Sequence, residues 1–268
     1  MKRLWKIILY CGKGYLMAAA VIVVLQRFFL YHPSSTWLAQ PEQYHAAAVT
    51  YTTQDGIALT SWYCAPQEGK PVFVMFHGNA GNLSMRGFKQ GFFCRQGYGF
   101  LLAEYRGYGG NAGSPTENGL YSDARAALSW LIHDQKIDVG SVIIYGESIG
   151  TGVASQMALE YKDAKALVLE APLTSVPDMV GSVMPWMRPF RFMVLDDYDN
   201  LAKAPYFTMP AIVLQGRDDE VIPVEKGKAV FSALGGIPKK LTILKGGRHN
   251  DLTNFGLLEE IQKFVKGV

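Results

Sequence analysis

The sequence predicts an α/β fold, a mostly parallel sheet with helices on both faces, preceded by an N-terminal transmembrane helix. Three observations carry this expectation. From Val72 onward, short near-continuous apolar runs alternate with longer helical patterns, as expected of strands covered on both faces. The 20 residues 7–26 hold one charge, Lys13, and have the length a helix needs to cross a bilayer. Between Val142-Ile143-Ile144 and a run of small residues stands Gly146-Glu147-Ser148-Ile149-Gly150, a serine flanked by glycines at a strand-to-helix junction.

Composition narrows the alternatives. At 268 residues, 49% hydrophobic and 18% charged, the chain can bury a substantial core, which excludes disorder over most of its length. A net charge of +3 with dispersed Lys and Arg points away from a nucleic-acid partner. The cysteines, Cys11, Cys64 and Cys94, lack C-x-x-C spacing, so no zinc knuckle is indicated. The apolar surroundings of Cys64 and Cys94 predict small buried hydrophobes rather than a disulfide.

At the amino terminus, Lys2, Arg3, Lys6 and Lys13 precede the most apolar part, residues 15–25, and only Arg27 follows closely. This bias keeps the amino terminus cytoplasmic and sends the body across, into the periplasm if the membrane is Gram-negative. A cleaved signal peptide is the rival. However, Gln26-Arg27-Phe28-Phe29 is a poor cleavage context, and Ala46-Ala47-Ala48 lies too far on. Residues 1–30 therefore read as an uncleaved anchor, 31–47 as a linker and 48–268 as the folded domain. Phe28, Phe29, Tyr31 and Trp37 suit the aromatic belt of a membrane interface.

The body opens with a hairpin, residues 48–53 and 57–64 around the turn signal Asp55-Gly56. Strands are expected next at 72–76, 100–103, 141–145, 166–169, 211–214 and 241–244. Ahead of the fifth strand, Ser114-Pro115-Thr116-Glu117 reads as a capping box: an N-cap, Pro at the first helical position and Glu at N3. Further helices are expected at 83–95, 150–161, 224–234 and 252–265. Residues 172–205 form an insertion without clear periodicity, rich in Met and aromatic side chains. It reads equally as an apolar cap over a substrate site or as helices packed on the sheet edge.

A serine hydroxyl becomes a nucleophile when an imidazole takes its proton and a carboxylate orients that imidazole. Behind an elbow such as Gly146–Gly150, the order along the chain is serine, acid, histidine. Of the five histidines only His249 follows Ser148, in the glycine-led loop Gly246-Gly247-Arg248-His249. The acid is expected after the strand at 211–214, in Asp218-Asp219-Glu220-Val221-Ile222-Pro223. Asp219, four residues before Pro223, is the first choice and Asp218 the runner-up. An oxyanion needs two backbone N–H donors. Ile149, after the nucleophile, supplies one, and Asn79 in His77-Gly78-Asn79 supplies the other, with His77 shaping that loop.

Six segments together, HGNAGN at His77, YRGYG at Tyr105, SPTENGLYSD at Ser114, GESIG at Gly146, DEVIP at Asp219 and GRHND at Gly247, resemble the Bem46-like branch of the α/β-hydrolases. The resemblance runs from about Thr50 to the carboxyl terminus and implies the α/β-hydrolase fold. It also implies a serine hydrolase of a branch that includes protein depalmitoylases and lysophospholipid lipases, with an N-terminal anchor. Glu104 stands where the branch usually has Asp before YRGYG.

The leading expectation is hydrolysis of a carboxylic ester or thioester with a lipid-like acyl group at a membrane, without metal or organic cofactor. A serine peptidase is disfavoured because the chain has no space for a large gating domain. A non-catalytic binding protein on the same scaffold is the alternative from another class. Two motifs are set aside. Gly107-Tyr108-Gly109-Gly110-Asn111-Ala112 does not open a helix as a dinucleotide loop would. The sequon Asn82-Leu83-Ser84 adjoins the expected oxyanion loop, where a glycan would obstruct the site.

Overall fold

The computed structural model describes residues 2–268. Helix α1 (Lys2–Leu30) contains 22 residues, Leu9–Leu30, long and apolar enough to cross a membrane. Strands β1 (Ala47–Thr52) and β2 (Ala58–Cys64) form the expected hairpin. Then follow β3 (Val72–Phe76), α2 (Gly87–Cys94), β4 (Gly99–Ala103), α3 (Glu117–Ser129), β5 (Val142–Glu147), α4 (Gly150–Glu160) and β6 (Ala166–Glu170). The insertion holds α5 (Val176–Val183), a 3₁₀ segment Pro185–Met193 and the short α6 (Asn200–Lys203). The chain closes with β7 (Ala211–Gly216), α7 (Val224–Ala233), β8 (Lys239–Leu244) and α8 (Leu257–Val265).

The eight strands form one sheet in the order β8-β7-β6-β5-β3-β4-β2-β1. All adjacent pairs from β8 to β4 are parallel; β2 runs antiparallel to both β4 and β1. The period-two alternation of a strand divides the core between the two faces. Val72, Val74 and Phe76 pack on one face with Leu120, Val153 and Val230 of α3, α4 and α7. Phe73 and Met75 pack on the other with Phe93 of α2 and Ile261 of α8. Because both faces are covered, the middle strands are apolar throughout rather than alternating.

Several expectations are corrected. The cap of α3 is Thr116, whose hydroxyl accepts from Gly119 N at 3.0 Å, so Glu117 is the first helical residue rather than N3. Glu117 instead accepts from Asp197 N and Tyr198 N, at 2.6 and 3.0 Å, fastening the end of the insertion. Cys64 and Cys94 form a disulfide with Cα atoms 6.2 Å apart, because β2 and the end of α2 converge at the same edge of the core. Cys11 is exposed.

Residues 31–47, expected as a linker, pack onto the body. Tyr31 is buried and its hydroxyl bonds that of Tyr198 at 2.8 Å. Trp37 stacks on Trp62 and donates Nε1–H to Gly109 O at 3.0 Å. These two aromatics therefore serve the core and not an interfacial belt; Phe28 and Phe29 remain exposed.

Candidate active site

The carboxyl ends of β3, β5, β7 and β8 carry the four loops from which the expected site residues come, as is usual for open parallel sheets. Ser148 follows β5 directly, with φ +54°. A left-handed backbone is unfavourable for serine and lifts its side chain above the sheet. The turn is held by Ser148 N donating to Glu170 O at 2.9 Å and by Thr151 N and Oγ1 donating to Ser148 O at 2.9 and 2.6 Å. A Cβ on Gly146 would stand 2.5 Å from Gly150 O, and one on Gly150 2.1 Å from Phe76 O. Both overlaps involve backbone, which cannot give way, and this is why serine stands between two glycines.

His249 and Asp219 reach the same point. His249 Nε2 lies 3.2 Å from Ser148 Oγ, and His249 Nδ1 lies 2.9 Å from Asp219 Oδ2. Asp219 is buried, while Asp218 is exposed. Asp219 Oδ1 accepts from Val221 N and Ile222 N at 2.9 and 2.7 Å, and Oδ2 accepts from Gln215 Nε2 at 2.9 Å. These donors explain the spacing to Pro223: the turn must fold its amides back onto the carboxylate. Burial pushes the His249 pKa down, but the hydrogen bond and charge of Asp219, helped by Glu147 and Glu170, outweigh it and leave the imidazole above its usual range.

The loop after β3 lies against the elbow, with Gly78 close enough that its Cβ would stand 3.4 Å from Ser148 Cβ. The backbone N–H groups of Asn79 and Ile149 donate to no protein acceptor among the described residues. The Asn79 side chain is occupied elsewhere, donating to Leu30 O at 2.8 Å. His77 is fully buried; its Nδ1 donates to Gly78 O at 2.7 Å and its Nε2 bonds Glu104 Oε1 at 2.6 Å. Glu104 Oε2 also accepts from Leu83 N at 2.9 Å, so it fastens both ends of this loop. Asn82 is buried and spends its amide on Ser34 O and Thr36 O, at 3.0 and 2.9 Å, which explains the sequon in structural terms.

Sequence reasoning missed an ionic network under the serine. Glu147 and Glu170 stand side by side in register on β5 and β6, an arrangement of like charges that is unfavourable alone. Lys89 Nζ lies between them, 2.7 Å from Glu147 Oε2 and 2.6 Å from Glu170 Oε2. Arg86 Nη2 lies 2.8 Å from Glu147 Oε1, while Arg86 Nη1 donates to Ala80 O at 2.7 Å. Burial raises both carboxyls. At Glu147 the charges of Arg86 and Lys89 prevail and hold the group below the usual carboxylate range; at Glu170 burial and the neighbouring Glu147 prevail and raise it. The network joins the elbow to the loop after β3. Its one sequence signal is an acid ending each of two otherwise buried strands.

Ser148 and His249 open at the base of a cavity of about 600 Å³, within the range of small-molecule sites. Its walls are largely apolar and include Met179, Val180 and Met184 of the insertion, Ile22, Val23 and Leu30 of α1, and Val221 and Ile222 of the turn after β7. The insertion therefore lies over the site.

Residues 71–194 match the alpha/beta hydrolase fold family. The chain is 34% identical over 260 residues to Rv2307c of Mycobacterium tuberculosis, a match covering 93% of this chain and 92% of that protein. It is 30% identical over 208 residues to protein bem46 of Schizosaccharomyces pombe, covering 74% of this chain and 69% of that one. It is 34% identical over 204 residues to alpha/beta hydrolase domain-containing protein 17B of Homo sapiens, covering 75% and 68%. Among solved structures, the Pyrococcus furiosus esterase Pf2001 matches with a TM-score of 0.71 at 17% identity, covering 88% of this chain and 97% of that one, a likeness of fold.

Proposed function

The chain belongs to the α/β-hydrolase family, in its Bem46-like branch, and from that premise we propose that it is a serine hydrolase of esters or thioesters acting through an acyl-enzyme on Ser148. The observation that carries the proposal is the unbroken hydrogen-bonded line from Asp219 Oδ2 through His249 to Ser148 Oγ, at 2.9 and 3.2 Å.

In this reading His249 Nε2 takes the Ser148 proton as Oγ attacks the acyl carbonyl carbon. The N–H groups of Asn79 and Ile149 stabilise the oxyanion. His249 then protonates the departing alcohol or thiol, leaving the acyl group on Oγ. A water that gives its proton to His249 attacks the acyl-enzyme, and the acid and free serine are released. Asp219 holds the imidazole orientation and supports the imidazolium throughout. Every proton moves between these side chains, substrate and water, so the proposal includes no metal or organic cofactor.

The substrate in this proposal is a lipid-like acyl compound, a reading supported by the apolar walls of the cavity. Residues 1–30 act as a membrane anchor with the amino terminus cytoplasmic and the body on the far side, periplasmic in a Gram-negative cell. The basic residues ahead of the apolar run support that orientation, as does the Cys64–Cys94 bond, since disulfides persist in oxidising compartments. A reporter fused after Val268 tests it: activity confined to a cytoplasmic reporter overturns the orientation.

The enzymatic reading is tested by fluorophosphonate labelling of the full chain. Labelling is expected, absent in Ser148→Ala and sharply reduced in His249→Ala. A folded wild-type protein that takes up no probe would favour the non-catalytic scaffold instead.

A further inference from the structure

Helix α1 and the insertion are fastened to each other along their lengths. The Tyr15 ring lies 5.7 Å from that of Trp186 and 5.3 Å from that of Phe190. About three turns on, Gln26 Nε2 donates to Met193 O at 3.3 Å and Gln26 Oε1 accepts from Leu195 N at 2.7 Å. Arg27 Nε donates to Asp196 Oδ2 at 2.8 Å. At 1.5 Å per residue, Tyr15 to Arg27 spans roughly 18 Å of helix. The insertion therefore runs beside the apolar half of α1 and shares its depth in any bilayer that α1 enters.

The outward side of the insertion suits that depth. Val183, Phe192 and Leu195 are 71%, 78% and 60% exposed, and Val24 and Phe28 of α1 are 80% and 75% exposed. Arg188 and Arg191 are also exposed on this segment. Exposed apolar side chains of this kind suit a surface that meets hydrocarbon, and long arginine side chains can reach from it toward the headgroups.

The inner side faces the cavity. Ile22, Val23, Phe29 and Leu30 of α1 form part of its wall, and Ser148 and His249 stand at its base. The end of α1 is also joined to the loop beside Ser148: Leu30 O accepts from Asn79 Nδ2 at 2.8 Å, and His32 N donates to Asn79 O at 3.0 Å. An anchor acting only as a tether would have no part in the lining or in this loop.

We propose that the insertion is seated in the bilayer beside α1, and that a single-chain amphiphilic acyl ester or thioester enters from the bilayer through the seam between them, its chain lying along Ile22 and Val23. This rests on the reading of Ser148 as the acyl acceptor. The anchor is thus one wall of the acyl site, and chain length is read on α1. The polar end of the substrate arrives at Ser148 last, while the chain exchanges bilayer hydrocarbon for cavity hydrocarbon.

Two readouts on the full chain in phosphatidylcholine vesicles test this separately from catalysis. The first uses Ser148→Ala and a hexadecanoate bearing a diazirine along its chain. Crosslinks are expected in the segment containing Ile22 and Val23 and in the insertion near Met179 to Met184. Crosslinks confined to the outward Val24 and Phe28, or none, overturn the proposal. The second compares p-nitrophenyl acetate and hexadecanoate. Val23→Trp is expected to lower kcat/KM for the long ester at least tenfold more than for the acetate, while Val24→Trp leaves both unchanged. Equal loss on both esters, or no loss, overturns the proposal. Crosslinking at Ile22 and Val23 in a protein that takes up no fluorophosphonate would support the acyl site while removing the hydrolase reading.

Discussion

Glu104 Oε1 lies 2.6 Å from His77 Nε2, with both side chains fully buried beneath the loop that meets Ser148. The pair, not His77 alone, gives that loop its shape. Removing the Glu104 carboxyl leaves two buried groups, His77 Nε2 and the Leu83 N–H, without a partner, at a cost of about 1–3 kcal/mol each. Glu104→Ala is therefore expected to lower the thermal unfolding midpoint strongly. Glu104→Gln, which keeps a hydrogen-bonding group in place, should cost only about 1–3 kcal/mol. Equal midpoints for the two variants would show that the amide restores neither bond.

Asp219 and Asp218 are neighbours with opposite environments, one buried against His249 and the other exposed. Asp219→Asn should reduce kcat by about 10³–10⁴-fold, since the amide favours the wrong imidazole tautomer. Asp218→Asn should stay within about twofold, as expected of a surface change away from the reacting atoms. Steady-state kinetics on a soluble ester distinguishes them, and the reverse ranking would reassign the acid.

The pH dependence follows from His249. The base must be neutral, and its pKa is raised above 6.5 by Asp219 against the opposing effect of burial. The neutral fraction falls as pH drops through that raised value, so the acid limb of kcat/KM should centre above 6.5. In Asp219→Asn the raising interaction is lost while burial remains, and the limb should move down. A limb unmoved by that variant would assign it to another group.

The disulfide closes a loop of sequence separation 30 between β2 and α2. Chain entropy assigns such a loop about 3–4 kcal/mol. Cys64→Ala with Cys94→Ala should lower the unfolding midpoint by on the order of 10 °C, given the usual slope for a chain of this size. Ser148 labelling at low temperature should persist, because Cys64 lies on β2, three strands along the sheet from β5 and its elbow. An unchanged midpoint would mean that the two thiols are not joined.

Much of the fold was legible because its rules are local. Strands covered on both faces read as apolar runs, and each of the eight falls within about two residues of its expected place. Ser148, Asp219 and His249 were legible because an elbow, an acidic turn and a glycine-led loop each follow a strand, and parallel strands bring their carboxyl ends together. The cap of α3 was misread by two residues because Ser114 and Thr116 are both competent caps, and the choice depends on where Glu117 must reach the insertion.

By itself, the sequence determined the strand and helix pattern, the candidate residues Ser148, Asp219 and His249 and the apolar character of α1, since these rest on periodicity, chain order and side-chain chemistry. Only the tertiary structure decided that Cys64 meets Cys94, that Lys89 lies between Glu147 and Glu170, that Tyr31 and Trp37 belong to the core, and that α1 lines the cavity above Ser148. Each of those depends on two segments distant in the chain occupying one place. No local pattern records such a meeting, because its free energy exists only once the sheet has brought the segments into contact.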